Sequence, residues 1–342
     1  MTNRKKLLLA FPCVILLICL ILIGSLFFGK GARLRDERAI ILIPTGATYE
    51  QVLDTIYSNL NIRNKGLFEW ISKKKSYPSI IRPGRYIISN NLSYIRLINI
   101  LRSGWQIPVN VTFNNINTIY QLAGKAGGQI EADSLQIITF LNDLENYSKD
   151  GFTMEDIISV FIPDTYEFYW NTSASGFYSR MLKEYRRYWT DERSAKARAE
   201  KLTRIEVSIL ASIVDAETSK KEEKPRIAGV YLNRLKRGMP LQADPTIKFA
   251  LNDFSINRIL YKQLQTNSPY NTYKHTGLPP GPIGCPTEEG LEAVLNAEKH
   301  DYLYFVARAD NSGLHIFSRT LAEHNRYSAE YQKELDKRKI FR

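Results

Sequence analysis

The chain has 342 residues, 44% hydrophobic and 24% charged, and a formal net charge of +12 at pH 7, which excludes a wholly disordered protein and fits two or three compact units. Three cysteines, two of them (Cys13 and Cys19) within one apolar run, exclude a disulfide framework. The basic balance suits an acidic polymer or anionic lipid, while the lack of zinc-finger spacing or an aromatic RNA-binding signature argues against nucleic acid.

Arg4, Lys5 and Lys6 precede an uncharged run of 22 residues, Leu7 to Phe28, long enough to cross a bilayer as one helix. No convincing small-x-small cleavage site follows, so the run reads as a retained single-pass anchor. Lys30, Arg33, Arg35 and Arg38 follow it, and charge alone does not orient the span. Next come a strand-like RAIILIP and a helix, YEQVLDTIY, opened by a capping box at Thr48 and Gln51. KGLFEWISKK, a turn at Pro83-Gly84, the strand RYIIS and the helix SYIRLINILRSG complete a small α+β module. IPVNVTF reads as a linking strand, and residues 117–200 as mainly helical. The aromatic cluster from FIPDTYEFYW to KEYRRYW reads as core packing, with stacking on sugar rings as the alternative.

Thr203 and Glu206 form another capping box, and the helix they open contains ILASIVDAET. A second helix, PRIAGVYLNRLKR, has Pro225 in its first turn and stops at Gly238. After MPLQADPT and a short helix, the loop SPYNTYKHTGLPPGPIGCP is too stiff in composition to be a linker. The helix EEGLEAVLNA, strands DYLYFVAR and LHIFSRT around the turn Asp310–Gly313, and a helix capped by Thr320 and Glu323 follow. The fold class is α+β, in four segments: anchor 1–29, stem and small module 30–113, helical intermediate region 114–200, and a final region 201–342.

Within ILASIVDAET, Glu217 falls near the middle of the apolar arc formed by Ile205, Val207, Ile209, Leu210, Ile213 and Val214. Asp215 lies roughly 200° away beside Ser208 and Ser212, on a side expected to be solvated. The negative end of the helix dipole and an apolar setting both raise the pKa of Glu217. A carboxyl protonated near neutral pH can protonate a glycosidic oxygen as a general acid. The alternative is a structural Glu that caps or pairs with Arg226 or Arg234. Glycosidases ordinarily use two carboxylates, yet Asp215 points away and Asp244, before Pro245, reads first as a helix N-cap. Without a second carboxylate the substrate must supply the nucleophile. The C6 hydroxyl of N-acetylmuramic acid can do so, attacking C1 to close a 1,6-anhydro ring.

Cys285 reads as a small loop residue, since a reactive thiol needs an activating base beside it. His275, His300, His315 and His324 lack HExxH spacing, and no metal is expected; His315 reads as a strand residue near the groove.

ILASIVDAET, PRIAGVYLNRLKRGMPLQADPTIKFAL, SPYNTYKHTGLPPGPI, DYLYFVAR and HIFSRTLAEHNR, with FIPDTYEFY upstream, resemble in order the motifs of the YceG-like, endolytic murein transglycosylase family. The match covers roughly residues 40 to 335. It implies a lytic transglycosylase anchored in the inner (plasma) membrane, with a LysM-like module and a lysozyme-like catalytic region in the periplasm. Such an enzyme cuts nascent peptidoglycan strands internally and terminates their elongation, with no cofactor. By the same resemblance Glu217 is the catalytic acid and base, and Asn233, Gln242, Asp244, Thr246, Tyr270, Asn271, Thr272 and Tyr273 line the groove. Peptidoglycan synthases and division proteins are the implied partners. Asp215 stands where many relatives are expected to carry Glu, and Gly284-Cys285-Pro286-Thr287 replaces a more usual Ala-Asn-Pro-Gly. The main rival is a non-catalytic peptidoglycan-binding scaffold of the division or elongation machinery, in which Glu217 is structural. A pyridoxal-phosphate lyase would need a Gly-rich phosphate cradle, and none is seen.

Overall fold

The computed structural model describes Gly24 and residues 32–33, 38–90, 92–256, 258–310 and 312–337, without the side chains of Arg33 and residues 335–337. The expected anchor, Gly24 apart, lies outside the described residues, as does Asn311 of the expected turn. Among the described residues no helix is long and apolar enough to cross a membrane. The chain divides into two compact units, one reaching Val111 and including Gln129–Ala132 and Glu167–Ser173, the other holding the rest from Thr112.

The first unit contains β1 (Ala32–Arg33), β2 (Arg38–Ile43), α1 (Tyr49–Asn59), β3 (Asn61–Ile62), α2 (Lys65–Lys74), β4 (Gly84–Ser89) and α3 (Tyr94–Ser103). β2 and β4 pair antiparallel, from Arg38 opposite Ser89 to Ile43 opposite Gly84. Their alternation turns Ile41, Ile43, Tyr86 and Ile88 into a core shared with Val52, Phe68 and Leu97 from the helices. The capping box of α1 is formed as expected, the Thr48 hydroxyl accepting from Gln51 N while the side-chain Oε1 of Gln51 accepts from Thr48 N.

Later in the chain come β5 (Val109–Phe113), α4 (Ile119–Gly127), α5 (Ser134–Leu141), β6 (Asp164–Phe168), α6 (Ala174–Tyr188), α7 (Asp191–Ala199), α8 (Arg204–Glu217), α9 (Lys224–Lys236), α10 (Asp244–Ala250), α11 (Glu288–Leu295), β7 (Tyr304–Ala307), β8 (His315–Ser318) and α12 (Leu321–Lys337). FIPDTYEFY, expected in a mainly helical stretch, supplies β6, which pairs with β5. Pro163 breaks any helix there, and period-two alternation buries Tyr166 and Phe168. The aromatic cluster is largely core: Phe161 stacks on Phe177 at 5.7 Å, and Tyr185, Tyr188 and Trp189 are buried.

α8 is the centre of the second unit. It packs against α7, α9, α10 and α11, and every residue from Val207 to Val214 is buried. The side carrying Ser208, Ser212 and Asp215 was expected to face water, and the fold overturns this. Ser208 and Ser212 are buried, with Ser212 Oγ accepting from Ile283 N at 3.0 Å and donating to Ile209 O at 2.7 Å. Asp215 accepts from Lys224 Nζ at 2.7 Å, and from Thr287 N and Oγ1, each at 2.8 Å. One carboxylate thus joins the end of α8 to the starts of α9 and α11, where helix dipoles favour negative charge. Gly290, in the first turn of α11, makes room for it: a Cβ there would lie 2.4 Å from Asp215 Oδ2.

Removing this carboxylate leaves a buried ammonium with only Glu289, at 3.5 Å, and a helix start without its acceptor. Asp215→Ala is expected to lower unfolding free energy by about 3 kcal/mol, measured by equilibrium denaturation. A loss no larger than that of an exposed carboxylate such as Glu330 would deny Asp215 this role.

Candidate active site

The capping box of Thr203 and Glu206 starts α8, and its last residue is Glu217. Thr218, extended, ends the helix and is itself buried. The phase of α8 turns Glu217 toward α9, where Tyr231 is 1% exposed. Tyr231 Oη donates to Glu217 Oε1 at 2.6 Å, and its ring packs edge-on to Phe305 of β7 at 5.8 Å. Neither expected arginine partner pairs with Glu217. Arg226 pairs with Glu298 at 2.9 Å, and buried Arg234 donates to the carbonyls of Leu303 (2.7 Å), Leu241 (2.8 Å) and Pro240 (3.2 Å).

Glu217 is only partly open to solvent, and loss of water pushes its carboxyl up to about 7. The Tyr231 hydrogen bond works in the opposite direction, the charge of Asp244 adds to the rise, and Lys248 and Arg234 oppose it. Near neutral pH the group therefore exists in both protonation states. The Tyr231 donor occupies Oε1, so the proton belongs on Oε2.

α10 and the segment 270–273 form the adjoining wall. Gln242 N donates to Thr272 O at 3.0 Å, Ala243 N to Thr272 Oγ1 at 3.0 Å, and the hydroxyls of Thr246 and Thr272 meet at 2.9 Å. Gln242, exposed, has φ +53°, a left-handed conformation unusual for a side-chain-bearing residue. Asp244 was expected to cap its own helix but does not. It is the first residue of α10, makes no capping bond, and accepts from Tyr273 Oη at 2.5 Å. The Thr246 N–H that such a cap would serve donates instead to Ala243 O at 3.1 Å.

The structure brings Asp244 and Tyr273 to the Glu217 side, Gln242 Oε1 accepts from Arg234 Nη1 at 3.3 Å, and the other expected groove residues serve differently. Thr246, Asn271 and Thr272 are 0%, 0% and 2% exposed, too enclosed to meet a ligand. Asn271 Nδ2 donates to Leu264 O and Thr266 O, and its Oδ1 accepts from Tyr273 N, so it shapes the loop that presents Tyr273. Asn233 Nδ2 donates to His300 O at 2.7 Å and Tyr302 O at 3.1 Å, fastening α9 to the approach to β7. Tyr270 packs on Phe249 with ring centroids 4.7 Å apart.

Tyr231 and Lys248 were not singled out from the sequence, and Arg234 was named there only as an ion-pair partner of Glu217. Tyr231 carried a signal: a hydroxyl within the apolar face of Ile227, Ala228 and Val230 requires a partner. His315 Nδ1 lies 2.8 Å from Glu223 Oε2 at the start of β8, and His300 Nε2 contacts Arg226 O at 2.9 Å. Among the described residues no group of three or more His, Cys, Asp or Glu could hold a metal ion. Cys285 is buried, and burial pushes its thiol up, away from reactivity.

Residues 41–330 match the model of the YceG-like family. An endolytic murein transglycosylase of Bacillus subtilis (strain 168) is 30% identical over 333 residues, covering 91% of each chain. An endolytic murein transglycosylase of Streptococcus pneumoniae serotype 2 is 28% identical over 323 residues, 84% of this chain and 57% of that longer protein. Among solved structures, a yceG-like protein of Listeria monocytogenes is similar with a TM-score of 0.57 and 26% identity, over 85% of this chain and 98% of that one.

Raising the pKa of a folded carboxyl makes its contribution to stability most favourable below its unfolded value and less favourable as pH rises to its folded value. For Glu217 that window runs from about 4.5 to about 7. Glu217→Gln is therefore expected to gain about 2 kcal/mol of stability over wild type on going from pH 4 to pH 8, after allowing for the open side of the carboxyl. Denaturant titrations at the two pH values check the sign, and a parallel pH response of the two proteins would count against a raised pKa.

Proposed function

The chain belongs to the YceG-like family, and on that premise we propose that it is a membrane-anchored lytic transglycosylase of peptidoglycan. In this reading it cleaves the bond between N-acetylmuramic acid and N-acetylglucosamine within nascent strands, leaves 1,6-anhydro ends and so terminates elongation. The run Leu7–Phe28 supplies the anchor in the plasma membrane, with the catalytic region outside the cytoplasm. In this reading residues 30–113 are the stem and LysM-like module, and residues 201–342 the lysozyme-like catalytic region. Support comes from the names of the similar proteins and, above all, from one observation: Glu217 ends a buried helix, partly enclosed, with the Tyr231 hydroxyl on one oxygen at 2.6 Å, a setting in which loss of water pushes the carboxyl up to about 7.

The reaction follows from that arrangement. Protonated Oε2 of Glu217 gives its proton to the glycosidic oxygen as the bond from that oxygen to C1 breaks, leaving positive charge shared between C1 and the ring oxygen. The carboxylate left behind is stabilised by the Tyr231 hydrogen bond and by the positive charges of Arg234 and Lys248. The substrate's own C6 hydroxyl then attacks C1, and Glu217 takes up its proton. No water enters, and the enzyme returns to its starting protonation state. Asp244, engaged by Tyr273, supplies local negative charge that favours the acid form of Glu217 and the developing positive charge nearby.

Mass spectrometry of fragments released from purified peptidoglycan tests the reading. Wild type should release ends one water lighter than hydrolysis products, and Glu217→Gln should lower that release by about 10³-fold. Reducing ends instead would make the protein a hydrolase with Asp244 as second carboxylate, and a folded wild type that binds strands without cutting them would be the scaffold. The rate at subsaturating substrate should fall as pH rises through about 7, where the acid form is lost. Tyr231→Phe removes a bond that favours the carboxylate, so this falling limb should move to higher pH. An unmoved limb would mean that another group titrates.

A further inference from the structure

A cavity of about 470 Å³ in the second unit includes Tyr120, Met154, Phe249, Tyr270, Asn117 and Asn252 in its lining. Tyr120 is 65% and Met154 43% exposed, so apolar surface is offered to the cavity rather than buried behind it. The rings of Tyr270 and Phe249 form a joined aromatic wall. The side-chain amides of Asn117 and Asn252, and the hydroxyls of Tyr120 and Tyr270, have no hydrogen bond to any described residue. Asn252 has φ +50°, backbone strain of the kind that collects at binding sites. Beside the lining residue Pro282, Gly281 lies against another lining residue, Glu155: a Cβ there would meet Glu155 O at 2.0 Å, so this loop can approach residue 155 only without a side chain.

Aromatic and thioether surface beside free amides and hydroxyls is the chemistry that receives a sugar: ring faces stack on pyranose C–H groups, and amides bond hydroxyls and acetamides. Two chain segments connect this cavity with Glu217's surroundings. α10 carries Asp244 and Lys248, which act electrostatically on Glu217, and Phe249, which lines the cavity, with Asn252 in the turn that follows. The second segment has Tyr273 on Asp244 at one end and Tyr270 in the cavity at the other. From Asp244 to Ala250, the length of α10, the helical rise is roughly 9 Å, comparable with one disaccharide repeat. We propose that the cavity is a remote saccharide subsite, holding a sugar ring of the strand about one disaccharide beyond the bond that Glu217 cleaves. This rests on the peptidoglycan reading above. Its effect is to favour long strands over short ones.

The test measures binding of peptide-free glycan to the full-length Glu217→Gln protein in detergent by isothermal titration calorimetry, for long strands and for a tetrasaccharide that spans only the cut bond. Adding Tyr120→Ala should lower long-strand affinity roughly fivefold relative to the tetrasaccharide, and Tyr120→Trp in its place should restore the ratio. Tyr120 is too exposed for its truncation to threaten folding. An unchanged ratio overturns the subsite. A loss seen only with peptide-bearing strands overturns it too, assigning the cavity to the stem peptide. Length-dependent binding by a protein whose wild type never cleaves would leave the subsite standing and bring down the lyase reading alone.

Discussion

Placing a carboxyl at the end of a helix that is otherwise buried takes water from it, and the neighbouring elements of the second unit supply what water would have given. α8 is enclosed from Val207 to Val214, so Glu217 emerges from an apolar junction with its backbone direction already fixed. Tyr231 gives it one hydrogen bond, enough to orient the group and too little to make it an ordinary surface acid. Had Arg226 or Arg234 reached it, an ion pair would have drawn its pKa down and removed the proton it needs. Both arginines are engaged elsewhere, Arg226 by Glu298 and Arg234 by three backbone carbonyls.

Most of what was legible in the sequence was local. The capping boxes at Thr48 and Thr203, the strand RYIIS and the hairpin strands β7 and β8 each depend on neighbours within a few positions, and each formed. Glu217's place in an apolar arc was legible for the same reason. Asp215 was not, because its partners Lys224 and Thr287 lie 9 and 72 residues away and no periodicity announces them. Similarity to known motifs marked a set of polar residues without separating those that face a ligand from those that hold the wall. Thr246, Asn271 and Thr272 proved to be framework, since a buried hydroxyl or amide satisfying backbone groups is as constrained as one touching substrate.

That framework explains how loop residues hold position beside a helix-borne acid. The stretch 240–246 is tied from below by Arg234 and from the side by Thr272, and these ties hold Gln242 in its left-handed conformation. Tyr273 is carried by a segment whose turn is closed by Asn271. Rigid backbone on both sides means that little ordering remains to be done when a ligand arrives, which favours binding and orientation alike.

The fit between Asp215 and Gly290 bears on how such sequences drift. The carboxylate occupies the volume that a side chain at position 290 would fill, so neither residue changes alone without cost. A chain with Glu at 215 carries one more methylene and must draw its carboxylate back or shift the start of α11, while Ala at 290 demands something shorter opposite. The two positions, 75 apart in sequence, are therefore expected to co-vary as a pair. Their joint history would record the spacing between two helices rather than anything about the glycan.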